Sequence, residues 1–140
     1  MSVWIFWLFE ILNGLTSLGM FFAPKRFHNS LFKNPQQAYQ SMGFSSTAVE
    51  MVHNVIRGQG AALLAISVYL LIQGAEDARS YALIALTCTF SFVAHVFTAR
   101  HHLKSPIVMA AIGAIKPLYG ILIINLLVAV SAFGVFWNSR

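Results

Sequence analysis

The chain has 140 residues, of which 58% are hydrophobic and only 9% charged. Its mean hydropathy is +0.71. A soluble domain carries about 25% charged residues, and nine Lys and Arg with four Asp and Glu cannot clothe a chain of this size in water. These figures exclude a soluble globular protein, a disordered chain and a nucleic-acid module. They leave a single all-α integral membrane domain. The net charge of +5 then reads as loop cations that set topology, not as a footprint for nucleic acid. The one cysteine, Cys88, excludes an intrachain disulfide and a cysteine metal site.

About 20 apolar residues span a bilayer core of roughly 30 Å. Four stretches meet that length: 3–22, 48–72, 79–98 and 106–137. The first lacks a basic start and a small-residue cleavage site and carries Glu10, so it reads as a retained span and not a signal peptide. The fourth is longer than a span needs and is interrupted at Pro117. It must tilt, kink or protrude.

Three connections join these spans. Residues 23–47 carry Lys25, Arg26 and Lys33, residues 73–78 carry Glu76 and Asp77, and residues 99–105 carry Arg100, His101, His102 and Lys104. With four spans, the first and third connections share a side and hold five Lys and Arg, against Arg79 and Arg140 on the other. The positive-inside rule predicts a four-helix bundle with both termini outside. Trp4, Trp7 and Trp137 then fall at the outer interface, with Tyr69 and Tyr81 nearby, as an aromatic belt. In the first connection, Phe27, Leu31, Phe32 and Tyr39 alternate with the cations. That pattern fits a short helix lying in the interface, and equally an ordered loop packed on the bundle.

An ionised group at the bilayer centre costs roughly 2.5–3.5 kcal/mol on insertion scales, so chains keep one there only when it pairs, faces a cavity or works. The intramembrane candidates are Glu10, Asn13, His53, Arg57, His95 and Lys116, with Asn54, Gln59 and Asn125 as uncharged companions. Glu10, Asn13, Gly14 and Ser17 share one helical face, as do Glu50, His53, Arg57 and Gly60 or Ala61 on the second span and Thr87, Ser91, His95 and Thr98 on the third. Such stripes are expected to face inward. At about 1.5 Å per residue, Glu10 lies roughly 10 Å from the outer end, Arg57 roughly 22 Å and His95 roughly 24 Å. The gap of about 12 Å leaves two readings of Glu10 open: an ion pair with Arg57 helped by tilt or a relay, or a neutral, protonated carboxyl.

Arg57 and Lys116 make the inner cluster basic, which suits a lipid phosphate, a ligand carboxylate or a partner's acidic side chain. The plainer reading has Lys116 snorkel to the interface and Arg57 bond carbonyls freed by Pro117. His53 and His95 could ligate a haem between helices, although no third ligand accompanies them and nothing fixes their spacing. No catalytic motif appears, and no cofactor is predicted beyond bound lipid. Two small-xxx-small pairs on the second span, Gly58 with Ala62 and Ala61 with Ala65, and one on the fourth, Ala110 with Ala114, are candidate helix-packing sites.

The run NVIRGQGAALLAISVYLL over 54–71, and GLTSLGMFFAPKRF over 14–27, resemble the second and first spans of small bacterial DoxX-like four-helix membrane proteins. The third span departs from that pattern at FVAHVFTARHH. The resemblance implies a four-span fold in a bacterial inner membrane, with Arg57 and Gly58 at a helix crossing, and carries no activity. Three functions are compatible with these features. The first is a non-catalytic accessory subunit of a larger membrane complex, with membrane lipids and other integral membrane subunits as partners and no nucleic acid. The second is an enzyme or redox module handling a lipophilic substrate such as a quinone. The third is a small transporter or proton path.

Overall fold

The computed structural model describes residues 3–106 and 115–139. The described chain is helical: α1 (Val3–Phe22), α2 (Pro24–Asn29), α3 (Pro35–Ser41), α4 (Ser46–Gln73), α5 (Ala78–Leu103) and α6 (Ile115–Asn138). Four of these, α1, α4, α5 and α6, are long and apolar enough to cross a membrane. Pro117 lies within α6, whose helix runs on through it, while residues 107–114 of the fourth predicted span lie outside the described residues.

Local chemistry sets the helix ends. α1 stops because Pro24 has no N–H to continue the ladder and drives Ala23 out of the helical region, to φ −133° and ψ 52°. Pro24 and Pro35 then open α2 and α3, where a missing N–H costs nothing. The Asn34 side chain caps α3 by accepting from the Gln37 amide at 3.2 Å, and Ser45 caps α4 by accepting from the Ala48 amide at 3.2 Å. At the other end of α4, Gly74 leaves the helix at φ +86°, in the region that favours glycine. The turn into α5 is pinned from beyond it: the Ser80 hydroxyl donates to the Gly74 carbonyl (2.9 Å) and the Tyr81 hydroxyl to the Ala75 carbonyl (2.7 Å). Tyr81 is buried. It therefore fastens the turn from inside and does not join the exposed Trp4, Trp7 and Trp137 as an interfacial belt residue.

The long helices associate chiefly as two pairs, α1 with α4 and α5 with α6. α1 bridges the pairs at one end, where Ile5, Phe6, Phe9 and Leu70 meet Tyr81, Ile84 and Cys88 of α5 and Val128, Ala129 and Ala132 of α6. The opposite faces of α1 carry Leu8, Ile11, Leu15 and Leu18 outward, as a lipid-facing stripe requires. The first connection packs on the long helices, as one of the two readings of the sequence had it. It contains two short helices, and α2 packs on both α1 and α4.

The α1–α4 crossing passes through Gly60. A Cβ at Gly60 would meet the Phe21 nitrogen at 2.6 Å, the Met20 Cβ at 2.8 Å and the Met20 carbonyl carbon at 2.9 Å. The predicted Gly58–Ala62 pair is displaced from this contact: Gly58 has open space around its Cα and both residues are exposed. Ala65 is exposed and Ala61 only half-buried. The physical reason is register. Two residues shift a helical position by about 200°, so the small residues that face α1 are Gly60 and, seven residues on, the buried Ser67. Ala110 and Ala114 lie outside the described residues.

Candidate functional site

Polar chemistry collects at two levels of the α1–α4 pair. The first is inside the seam. Asn13 donates from Nδ2 to the Leu63 carbonyl (3.1 Å) and to the Ser67 hydroxyl (2.7 Å). The Ser67 hydroxyl also lies beside the Glu10 carboxyl. Glu10 is buried, and its Oε1 has no hydrogen-bond partner among the described residues. Ser17, wholly buried, donates to the Gly14 carbonyl of its own helix at 2.9 Å. Interhelical bonds of this kind contribute about 0.6 kcal/mol on average in membranes, so their main effect here is to fix register.

Glu10 and Arg57 do not pair. Glu10 faces Ser67, and residue 57 lies ten residues away on α4, or about 15 Å along the helix. Arg57 turns instead to α1, where its Nε donates to the Phe21 carbonyl at 3.3 Å and its Nη1 to Asn54 Oδ1 at 3.4 Å. The carbonyl it satisfies is thus an orphan of the α1 C-terminus and not one freed by Pro117. A cation there also suits the negative end of the helix dipole. α1 alone, at 20 residues, is about 30 Å long. Arg57 is thus level with the C-terminal end of α1, although it lies inside the long apolar helix α4.

The second level lies just beyond. His28 of α2 is buried and sits edge-on to His53 of α4, with ring centroids 5.4 Å apart. The Tyr39 hydroxyl lies 2.7 Å from Asn29 Oδ1, to which it donates, and 3.0 Å from His28 Nδ1. With its proton so used, Tyr39 accepts from His28 Nδ1–H, which assigns the tautomer from the network. Phe32 packs edge-on to both His28 and Tyr39. Burial holds the Tyr39 phenol above its ordinary value of 10.0, so it remains a donor. Burial first, and then the neighbouring His53, hold the His28 imidazole below its ordinary 6.5.

That direction fixes a pH dependence. The folded state favours neutral His28, whereas the unfolded chain protonates it near 6.5. The stabilisation is fully present above that pH and is lost as pH falls from there through the folded value. An NMR titration of the full chain in micelles is expected to place the His28 midpoint below 6.5. A midpoint at or above that value would contradict the burial argument.

Beside this second level opens a cleft of about 720 Å³. The end of α1 contributes Phe22, α2 contributes Lys25, Arg26 and Asn29, and α4 contributes Glu50, His53, Asn54 and Arg57. His53 Nε2 is buried and has no hydrogen-bond partner among the described residues. No known family, curated protein or solved structure matches the chain. The site therefore rests on its own geometry.

The remaining sequence candidates lie elsewhere. His95 is on α5, where its Nδ1 bonds the Ser91 carbonyl one turn back at 2.7 Å. His53 belongs to the α1–α4 pair and His95 to the α5–α6 pair, and no group of three potential metal ligands occurs among the described residues. Asn125 donates to the Ile121 carbonyl of its own helix at 2.9 Å. Lys116 lies in α6, with its side chain outside the described residues. Sequence reasoning missed His28 and Ser67, took Tyr39 only as an aromatic of the first connection, and placed Gly60 on the polar face of the second span without marking it as the crossing point. The adjacent pair His28–Asn29 and the seven-residue spacing of Gly60 and Ser67 were the available signals.

Proposed function

We propose that this chain is a small polytopic membrane protein that serves as a non-catalytic accessory or stabilising subunit of a larger membrane complex. It would lie in a bacterial inner membrane with both termini outside. The observation that carries this reading is where the span polar groups are used. Asn13, Ser67, Arg57, His95 and Asn125 each bond a neighbouring helix or their own backbone, and they converge on no common point. Polar groups used in this way hold helices in register. The orientation rests on the five cations of the first and third connections. The DoxX-like resemblance of residues 14–27 and 54–71 points to the same kind of scaffold. The quinone and transport readings draw less support, because His53 and His95 sit on separate helix pairs and Glu10 is packed in the α1–α4 seam.

Gentle purification of the tagged full chain from its native membrane tests the proposal. An integral membrane protein is expected at fixed stoichiometry. Photo-crosslinking from the exposed Leu86, beside an apolar groove of about 520 Å³ between α5 and α6, is expected to capture that same protein. A lone 15.5 kDa monomer with no companion would overturn the reading.

A further inference from the structure

We infer that the cleft between α1, α2 and α4 binds the phosphate of an anionic phospholipid headgroup. Three cations line it, Lys25, Arg26 and Arg57, against one carboxylate, Glu50. Net positive charge in a concave site attracts an anion. The donors are also organised for phosphate. Arg57 is held in place by the Phe21 carbonyl and Asn54, which engage two of its five N–H groups and leave three. A guanidinium fixed in this way loses little entropy when it binds, and its planar fork matches phosphate oxygens. The wall also carries His53, whose buried Nε2 has no hydrogen-bond partner among the described residues.

Position selects a lipid as the source of that phosphate. α1 has the length of the hydrocarbon core and ends at Phe22, two residues before Pro24 and three before Lys25. The cleft therefore opens at the level where a leaflet's phosphates lie. Its rim carries Phe22, 71% exposed, on the side where acyl chains would run. The volume of about 720 Å³ exceeds what a bare phosphate fills and lies within the usual range for small-molecule sites, roughly 300–1,000 Å³. The inference goes beyond the accessory-subunit reading and does not require a partner chain.

The test uses the full chain in nanodiscs of phosphatidylcholine containing a minor share of phosphatidic acid. Native mass spectrometry then counts the lipids retained on release. One phosphatidic acid is expected to stay bound in preference to phosphatidylcholine. Lys25→Gln and Arg26→Gln are each expected to weaken retention about fivefold, the value of one basic residue at a membrane surface. Lys33→Gln removes the same charge outside the cleft and is expected to have a much smaller effect. These variants spare Arg57, which caps α1, so loss of fold does not confound them. Equal retention of the two lipids would overturn the inference. So would a Lys33→Gln effect as large as that of Lys25→Gln, since that would indicate a diffuse surface charge. Release of the lipid by millimolar inorganic phosphate would overturn the lipid as the source.

Discussion

Gly60→Leu is expected to unseat α1 from α4, while Gly58→Leu, two residues away, leaves the protein standing. At Gly60 the first added carbon already meets the Phe21 nitrogen and the Met20 Cβ and carbonyl carbon at 2.6–2.9 Å. Two of those three atoms belong to the α1 backbone, so no rotamer change relieves the clash and the helices must move apart. Overpacking of a well-packed contact costs about 1–3 kcal/mol, occasionally more. The upper end applies here because separation also strips the Asn13 bonds to Leu63 and Ser67 and pulls Arg57 from the Phe21 carbonyl. At Gly58 nothing lies within 4 Å of the added carbon. Its replacement even removes a poor helix former. Unfolding in detergent, followed by circular dichroism for both variants, checks the contrast. Equal stability of the two would show that the crossing does not run through Gly60. Because the lipid cleft is built from both helices, Gly60→Leu should also abolish selective retention of phosphatidic acid.

The contrast also shows how much of the molecule was legible in the sequence. The spans were legible because hydropathy is summed over some twenty residues and tolerates error at the ends. Val3–Phe22 was read to the residue, since Pro24 ends it by covalent geometry. The helix face was less legible. α4 contains Gly58, Gly60, Ala61, Ala62 and Ala65 within two turns, and small residues at every angle give no unique stripe. Only the partner surface, Met20 and Phe21, selects Gly60. Arg57 illustrates a different limit. Counting residues along one span gives its position in that helix alone, whereas its neighbours depend on how a 28-residue helix is offset against a 20-residue one. That offset leaves Glu10 as the carboxyl buried in the seam and sets Arg57 level with the end of α1, beside Lys25 and Arg26. His28 escaped notice because its burial comes from Tyr39, Phe32 and His53, which only the fold brings together.

Phe6→Ala is expected to loosen one helix pair from the other. Phe6 is only 1% exposed and sits where Leu70 of α4, Ile84 of α5 and Ala132 of α6 all approach α1. Truncating a buried Phe costs about 3–5 kcal/mol in soluble proteins, part from lost contacts and part from the cavity. Between membrane helices the hydrophobic term is weaker, because acyl chains are as apolar as the side chain removed, and association depends on close packing. The cavity term therefore dominates, and its size depends on whether the junction can collapse. Collapse is obstructed here: the Tyr81 and Ser80 hydroxyls hold the α4–α5 turn to the start of α5. The adjacent Trp7, half exposed, supplies the control, since Trp7→Ala removes a larger ring without emptying the junction. Spin labels at Leu12→Cys and Leu127→Cys, both exposed positions, report the separation of α1 and α6, with the buried Cys88 shielded from labelling. Phe6→Ala should broaden that distance distribution while Trp7→Ala leaves it narrow. A narrow distribution in both variants would mean that the pairs are held by contacts other than the Phe6 junction. Under the accessory role proposed above, a partner helix docked on α5 and α6 would stabilise the same arrangement that Phe6 holds. On that proposal, the chain bound to its partner is expected to tolerate Phe6→Ala better than the isolated chain does.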